Sequence, residues 1–260
     1  MYNLSTPFKE KIELSLKKKR SNIIIALDPV IANRNILLEK SLEIVHDVAP
    51  YVCAVKLNHH LVLPLGLYHG VQKIIDLAHD LNLPTIMDCK INDIGDTNEV
   101  IARHYFEAGF DAVIANSFVG WEDGLKPIFD SARKLNRGVI LLVYMSHKGA
   151  DEGYGQKVIN QETGEAVMQY TLFASKALKW GADGAVVGAT YPDKVREVKS
   201  ILGDKVPIYS PGVGAQGGSI EQAVKAGARY LIIGRAIFQS EDVAGSAGAF
   251  RDSASKFLLP

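Results

Sequence analysis

The chain has 260 residues, of which 47% are hydrophobic, and its 29 basic side chains balance its 29 acidic ones. This length suits one large domain or two small ones, and the apolar content is ample for a sizeable core. A chain without net charge has no overall field that attracts nucleic acid or an anionic membrane, and no run of about 18 apolar residues offers a membrane span. We therefore expect a soluble protein without either partner, in which any anion site is a local cluster of charge.

The first 20 residues mix acidic, basic and isolated apolar side chains and end in a basic run at residues 17–20. They lack the apolar core of a signal peptide, so we predict an amphipathic helix with a solvated basic end. The chain has two cysteines, Cys53 and Cys89, and each lies in an apolar, strand-like run. This pattern is typical of buried thiols in a reducing compartment, and we expect a cytoplasmic protein.

Short apolar runs alternate with longer segments of helical periodicity almost to the end of the chain. Several runs are continuously apolar, as expected for parallel strands that are covered on both faces. The eight strand candidates are residues 23–27, 52–57, 85–88, 112–115, 139–143, 184–187, 206–209 and 230–233. Helical periodicity marks residues 67–81, 96–108, 164–180 and 220–226, and several of these segments close near a glycine.

Eight strand–helix repeats in a chain of this length predict an α/β fold, a closed (β/α)₈ TIM barrel. We expect residues 1–260 to form a single domain of this kind with an additional N-terminal helix. An open doubly wound sheet is the alternative, but Asp28-Pro29 stands where such a sheet would carry a glycine-rich dinucleotide turn. Residues 146–163, which look irregular, and the glycine-rich residues 211–219 are predicted to be functional loops.

Charged residues stand at the ends of the first three predicted strands. Asp28 ends the first, Lys56 lies near the end of the second, and Asp88 and Lys90 close the third. The strand ends of such a barrel form its active site, and alternation along a strand places Asp88 and Lys90 on one face. Buried charges need partners, and alternating carboxylates and ammonium groups provide them. We interpret the four as a network that keeps a lysine protonated as a general acid, in preference to unrelated charges on the rim.

The same residues resemble the orotidine 5′-phosphate decarboxylase family, whose motif Asp-x-Lys-x-x-Asp is matched by Asp88, Lys90 and Asp93. The resemblance implies a cofactor-free enzyme that converts orotidine monophosphate to uridine monophosphate. It implies that Lys90 protonates carbon 6 of the pyrimidine and that Asp88 lies beside the departing carboxylate. Lys56 and Asp28 would complete the catalytic network.

A homodimer is a further implication of the resemblance, because the last aspartate of the motif and a threonine four residues later enter the neighbouring subunit's site in that family. Asp93 and Thr97 occupy these positions. Asp93 could alternatively form a loop turn, but the match of the whole motif favours catalysis. Asp96 begins a capping pattern for the next helix, so we expect it to be a helix cap.

Two loops late in the chain have the features of a phosphate site. A segment that contains Pro211 and Gln216 follows the seventh predicted strand, and Gly234-Arg235 follows the eighth. Loops in these places commonly bind phosphate through backbone N–H groups, and an arginine adds a forked cation. The glycine-rich segment also resembles the family's loop that closes over substrate, which implies that Gln216 and Arg235 contact the phosphate.

The segment after the fifth predicted strand resembles the pyrimidine-recognition segment of the same family, which places Ser146 on the base. We discount a catalytic pair of Ser146 with His147, since adjacent residues rarely face each other on a short loop. His59 and His60 lack an acid or a third histidine at ligand spacing, so we expect no metal. The expectation of no cofactor is what the family resemblance implies.

Three other functions compete with this interpretation. A sugar-phosphate decarboxylase or hexulose-phosphate synthase of the same superfamily needs magnesium and carries a glutamate where Lys56 stands. A non-catalytic sensor of phosphate ligands would keep the glycine-rich loop and Arg235 but has no need for two lysines beside two aspartates. A nucleic-acid binder finds support only in the basic residues 17–20.

Overall fold

The structure, a computed structural model, describes residues 5–257. Parallel strands alternate with helices through most of this range. The strands are β1 (Ile23–Leu27), β2 (Ala54–Asn58), β3 (Thr85–Ile91), β4 (Ala112–Asn116), β5 (Gly138–Tyr144), β6 (Lys157–Ile159), β7 (Ala166–Met168), β8 (Gly184–Val187), β9 (Ile208–Pro211) and β10 (Ala228–Ile233).

The helices lie around the barrel and at its base. They are α1 (Phe8–Lys19), α2 (Arg34–Val48), α3 (His59–Leu65), α4 (Gln72–Asp80), α5 (Gly95–Glu107), α6 (Lys126–Lys134), α7 (Gln169–Trp180), α8 (Pro192–Leu202), α9 (Ile220–Ala226), α10 (Arg235–Phe238) and α11 (Val243–Ser255). Short π-helical segments precede α4 and α6, and 3₁₀ turns follow β4 and β5.

Eight strands close into a barrel in the order β1-β10-β9-β8-β5-β4-β3-β2, and every neighbouring pair is parallel. All residues of β1 and β5 are buried, because the barrel interior lies on one side of each strand and the helices on the other. The (β/α)₈ prediction is therefore confirmed, and all eight predicted strands are present with bounds that differ by three residues or fewer.

The N-terminal helix α1 covers the base of the barrel, where the strands begin. Its Phe8 ring packs so closely on Gly138 that a Cβ at this position would collide with the ring. The helix predicted over residues 1–20 is present as Phe8–Lys19, and residues 1–4 lie outside the described residues. Lys17 and Lys18 are exposed as expected, whereas Lys19 is partly buried and donates a hydrogen bond to the carbonyl of Leu81 at 3.2 Å.

Residues 146–163 are not irregular throughout, as the sequence had led us to expect. β6 pairs with β7 in a small antiparallel hairpin, in which Lys157 faces Met168. The turn contains Gly164 with a φ of 74°, a conformation that favours glycine. The helix predicted to begin at Gly164 therefore begins only at Gln169, because the hairpin uses the residues between them.

The helix predicted over residues 67–81 is also interrupted. It is α4, preceded by a π-helical segment (Gly66–Val71) that Gly66 opens with a φ of 74°. Within residues 5–257, no helix has both the length and the apolar character that crossing a bilayer requires.

Candidate active site

A cavity of about 560 Å³ opens at the carboxyl ends of the barrel strands. Each barrel strand contributes at least one residue to its wall: Ala26, Lys56, Asp88, Ile114, Leu142, Val186, Pro211 and Ile232. Apolar side chains therefore line the part nearest the barrel core, and charged side chains gather on the side of β1, β2 and β3. Nine of the eleven predicted site residues line this cavity, and the two others are Asp93 and Thr97.

Two ion pairs join β2 to β3 at the wall of the cavity. Lys56 Nζ lies 2.7 Å from Asp88 Oδ2, and Lys90 Nζ lies 2.6 Å from Asp88 Oδ1. The Lys56 side chain is 6% exposed and the Lys90 side chain 38% exposed, so Lys90 is the cation that solvent or a ligand can reach. We call Lys56, Asp88 and Lys90 the cavity cluster.

The backbone of β3 is irregular where it presents this cluster. Its register with β4 shifts between Met87 and Ile91, and Lys90 has a φ of 50°. A positive φ is uncommon outside glycine and is often held at functional sites. Asp88 and Lys90 both face the cavity as alternation predicts, whereas the thiol of Cys89 turns away and lies 3.5 Å from the carbonyl oxygen of Ile114.

The charges around Asp88 decide its protonation. Burial alone raises the pKa of this carboxyl, but the ammonium groups of Lys56 and Lys90 outweigh burial and hold the pKa well below its ordinary value. Burial, with a contribution from the charge of Asp88, raises the pKa of the neighbouring Cys89 thiol to about 12. At neutral pH Asp88 is thus a carboxylate, and the Cys89 thiol on the other face of β3 is neutral.

Asp28 lines the cavity but lies outside this chain of ion pairs. Its Oδ2 accepts a hydrogen bond from Asn58 Nδ2 at 3.4 Å, and no lysine or arginine of residues 5–257 lies within 4.0 Å of its carboxylate. A Cβ on Gly234 would lie 3.4 Å from Asp28 Oδ1. Asp28 therefore lies between the cavity cluster and the segment that carries Arg235. The predicted alternating pairing of all four charges is wrong, since Asp28 pairs with neither lysine.

The predicted phosphate residues lie together on the opposite side of the cavity. Pro211, Gln216, Gly234 and Arg235 all line it, and Arg235 is exposed. The glycine-rich loop folds back on itself through hydrogen bonds such as Gly214 N to Gly218 O at 3.0 Å, and Gly212, Gly214 and Gly217 all have positive φ. A cation and a loop of glycines thus face the same space, as a phosphate site requires.

Ser146 lines the cavity on a segment that packs tightly against its neighbours. A Cβ on Gly188 would approach Ser146 Cα to 2.6 Å, so the two backbones are in direct contact. Thr190 Oγ1 donates to the carbonyl of Ser146 at 3.0 Å, and the Tyr191 hydroxyl donates to the carbonyl of His147 at 3.0 Å. His147 does not line the cavity, in agreement with our discounting of a Ser-His pair.

Asp93 and Thr97 lie outside the cavity of this chain and are exposed. The Asp93 carboxylate accepts a hydrogen bond from the backbone N–H of Ile94 at 2.7 Å. The expectation that Asp96 caps the next helix is wrong, since α5 begins at Gly95 and no side chain caps it at Ile94. Asn98 stabilises this turn instead, because its side chain accepts from Asp93 N at 2.9 Å.

Several lining residues were not among the predicted site residues, namely Asn58, Met145, Phe238, Gln239 and His60, which had been considered only as a metal ligand. Asn58 follows Lys56 by two residues, so alternation along β2 could have identified it. The others lie on segments whose direction no strand periodicity predicts. Across residues 5–257, no three His, Cys, Asp or Glu side chains are grouped closely enough to hold a metal ion.

Comparison with known proteins gives consistent matches over most of the chain. The sequence model of the Orotidine 5'-phosphate decarboxylase / HUMPS family matches residues 21–250. The Orotidine 5'-phosphate decarboxylase of Methanosarcina barkeri is 38% identical over 224 residues, which cover 86% of this chain and 90% of that protein.

Solved structures agree with these sequence matches. The orotidine 5'-monophosphate decarboxylase of Methanocaldococcus jannaschii, crystallised with the inhibitor BMP, superposes with a TM-score of 0.74 at 34% identity and covers 89% of this chain and 97% of its own. The Leishmania donovani OMP decarboxylase superposes with a TM-score of 0.85 over 97% of this chain and 99% of its own, and at 21% identity it shows the fold alone. The chain therefore belongs to the orotidine 5′-phosphate decarboxylase / HUMPS family.

Proposed function

We propose that this chain is a carboxy-lyase that converts orotidine 5′-monophosphate to uridine 5′-monophosphate without a cofactor, as a step of pyrimidine synthesis. The main support for this proposal is that Asp88 forms ion pairs with both Lys56 and Lys90 at the cavity wall. Relatives at 34–38% identity that are called orotidine 5'-phosphate decarboxylase support the choice of substrate.

Lys90 has the chemistry and the position of the general acid. When the bond between carbon 6 and the carboxylate breaks, carbon dioxide leaves and the electron pair remains on carbon 6. The Lys90 ammonium first stabilises this negative charge and then donates a proton to carbon 6, and solvent afterwards reprotonates the amine. Asp88 holds Lys90 through a 2.6 Å contact and places a negative charge beside the substrate carboxylate, which disfavours that carboxylate in the ground state.

The opposite side of the cavity would bind the parts of the substrate that do not react. Arg235 and Gln216, with the backbone around Pro211 and Gly234, surround the position that we assign to the phosphate. Ser146 would contact the pyrimidine. Phosphate contacts distant from carbon 6 can organise the site for the reaction and can favour closure of the glycine-rich loop over it.

The second candidate is a magnesium-dependent sugar-phosphate enzyme of the same family. Such relatives carry a glutamate on the second strand, where this chain has Lys56. An ammonium group cannot ligate a cation, and here it lies 2.7 Å from the carboxylate that the metal would need. The donor set therefore favours the metal-free reaction.

The proposal also includes a homodimer with shared sites, a cytoplasmic location and a single domain over residues 1–260. The exposure of Asp93 and Thr97 outside their own chain's cavity supports sharing, since both can reach a neighbour. The cytoplasmic location is supported by Cys53 and Cys89, which are not joined in a disulfide.

The test is to incubate the purified protein with orotidine 5′-monophosphate and an excess of EDTA, and to follow the loss of pyrimidine absorbance and the release of carbon dioxide. We expect full turnover in the presence of the chelator. A protein that leaves the substrate intact, or whose activity EDTA removes and Mg²⁺ restores, would contradict the proposal. A parallel assay with a hexulose phosphate and Mg²⁺ examines the second candidate directly.

A further inference from the structure

Asp28 needs a partner that the ion pairs of the cavity do not provide. Lys56, the nearest strand neighbour that could pair with it, is committed to Asp88 at 2.7 Å. Within residues 5–257, the donor that reaches the Asp28 carboxylate is the side-chain amide of Asn58, at 3.4 Å. A carboxylate with so few contacts can adopt several rotamers. The side chain that hydrogen-bonds to it therefore determines where its negative charge lies.

The register of β1 and β2 explains why Asn58 is that partner. Ala26 pairs with Lys56 and Leu27 with Leu57 in the parallel ladder. One residue beyond the end of β1, the same register sets Asp28 beside Asn58. Asp28 and Asn58 both line the cavity. The contact therefore follows from strand pairing and is not a chance meeting of two loops.

The orientation of the Asn58 amide is fixed from its other side. Asn58 is the N-cap of α3, and its Oδ1 lies 2.8 Å from the backbone N of His60 and 2.8 Å from His60 Nδ1. A reversed amide would place its NH₂ group against the backbone N–H of His60, so two donors would face each other. Nδ2 must therefore point towards Asp28. Because Oδ1 can only accept, its contact with His60 Nδ1 also places a proton on Nδ1.

We infer that Asn58 is a positioning residue that orients the Asp28 carboxylate for the decarboxylation, and that His60 holds the Asn58 amide in the orientation this requires. The inference rests on the proposed function, since the catalytic role of Asp28 is the one that the resemblance to the decarboxylase family implies. It adds Asn58 and His60 to the residues on which turnover depends.

Two substitutions at Asn58 separate positioning from helix capping. Asp and Ser are both good N-caps, so Asn58→Asp and Asn58→Ser each keep an acceptor for the His60 N–H and should melt close to the wild type. Asn58→Ser shortens the side chain and removes the amide donor to Asp28 without adding a charge. Asn58→Asp removes the donor and also places a second negative charge beside the Asp28 carboxylate.

For Asn58→Ser we expect kcat/KM to fall about 10-fold, the effect of losing one hydrogen bond to a charged group. For Asn58→Asp we expect a fall of about 100-fold at pH 8, because two carboxylates at this distance repel each other. This second loss should shrink as the pH falls towards 5. A proton shared by the two carboxyl groups then replaces the missing amide N–H. The other charged or titratable groups that line the cavity are Lys56, His60, Asp88, Lys90 and Arg235, and both variants and the wild type share them.

His59 offers a matched control for His60. His59→Ala removes an exposed imidazole on the same helix that does not line the cavity, so kcat/KM should stay within about twofold of the wild type. His60→Ala should lower kcat/KM about threefold to fivefold, because one of the two contacts to Asn58 Oδ1 remains.

The inference is overturned if kcat/KM falls equally in Asn58→Asp and Asn58→Ser. It is also overturned if the ratio of their kcat/KM values stays constant from pH 8 to pH 5. A melting temperature that falls in proportion to kcat/KM would likewise contradict it. The proposed function fails separately, when the wild type itself leaves orotidine 5′-monophosphate intact. If the wild type is active and Asn58→Asp is equally active, the proposed function stands and the inference about Asn58 is wrong.

Discussion

Two clusters of buried charge lie at opposite ends of the barrel, and each is built on one aspartate. At the base, where the strands begin, Asp111 Oδ1 lies 2.8 Å from Lys11 Nζ and 2.9 Å from Arg137 Nη1, and Asp111 Oδ2 lies 2.9 Å from His79 Nε2. We call these four residues the basal cluster. At the other end, the cavity cluster surrounds Asp88 with Lys56 and Lys90 at similar distances.

The two clusters differ in how far their charged side chains are exposed to another molecule. In the basal cluster the exposed fractions are 0% for the Asp111 side chain, 4% for Lys11 and 9% for Arg137, and the backbone N–H of Thr85 also donates to Asp111 at 2.8 Å. The cavity cluster leaves Lys90 38% exposed and beside a cavity. Similar ion pairs thus tie the N-terminal helix to the barrel at one end and hold an accessible ammonium group beside a cavity at the other.

Of the substitutions in the two clusters, Lys90→Ala should have the largest effect, and it should lower kcat without unfolding the protein. Loss of the general acid is expected to lower kcat by about 10⁴-fold, whereas binding of uridine 5′-monophosphate, measured by calorimetry, should remain detectable. Asp88 keeps Lys56 as a partner, so the fold should persist. Lys148→Ala is the control, because Lys148 is exposed and does not line the cavity. Near-normal turnover by Lys90→Ala would contradict the division of roles between the clusters.

A mixing experiment makes the same prediction sharper. If Asp93 serves the neighbouring subunit's site, then inactive Lys90→Ala and Asp93→Asn proteins should regain activity when their subunits exchange. About a quarter of the sites in a randomly mixed dimer population would carry neither substitution. Two inactive parents that never complement each other would show that Asp93 acts in its own chain or not at all.

Asp111→Asn should act on stability alone. The substitution removes the negative charge that Lys11 and Arg137 contact in the buried basal cluster, which costs about 3–5 kcal/mol of the free energy of unfolding. For a domain of this size the melting temperature should fall by about 6–20 °C, while kcat of the folded fraction stays unchanged. Asp130→Asn, which removes an exposed carboxylate paired with Lys126, is the control and should melt with the wild type. A loss of kcat without a loss of stability would be the contrary result.

The sequence predicted the cavity cluster but not the basal one, and the reason is geometric. Asp88 and Lys90 are two residues apart on one strand, and Lys56 stands at the end of the previous strand, so alternation and the barrel rule suffice to bring them together. Lys11, His79 and Arg137 lie on separate elements and reach Asp111 only after α1 has docked under the barrel. Local sequence periodicity cannot predict contacts between elements that are so far apart in the chain.

The same distinction explains the finer errors at the site. Asp28 was predicted to join the ion pairs because its strand end is adjacent to that of Lys56, but its carboxylate accepts a hydrogen bond from Asn58 instead. Asp96 was predicted to be a cap because its residue type suits one, whereas the turn is stabilised by Asn98. Residue types and spacing locate a side chain on an element, and only the packed structure selects its partner.

The smallest predicted effect concerns acid, where the two clusters should behave alike. Burial raises the pKa of Asp88 and of Asp111, but their cationic neighbours outweigh it, and both pKa values lie below the ordinary 3.8. A carboxyl whose pKa is depressed by folding stabilises the native state above its unfolded pKa, and this contribution is lost as the pH falls towards the folded pKa. Each aspartate should therefore leave the free energy of unfolding unchanged from pH 8 to about pH 5 and lower it by at most about 1.4 kcal/mol per pH unit below pH 4.

Urea unfolding of the wild type, Asp88→Asn and Asp111→Asn between pH 3 and pH 7 measures this dependence of the free energy of unfolding on pH. Each variant should have a shallower acid slope than the wild type, and a difference from the wild type that already disappears at pH 6 would show that the carboxylate was not held in its charged form.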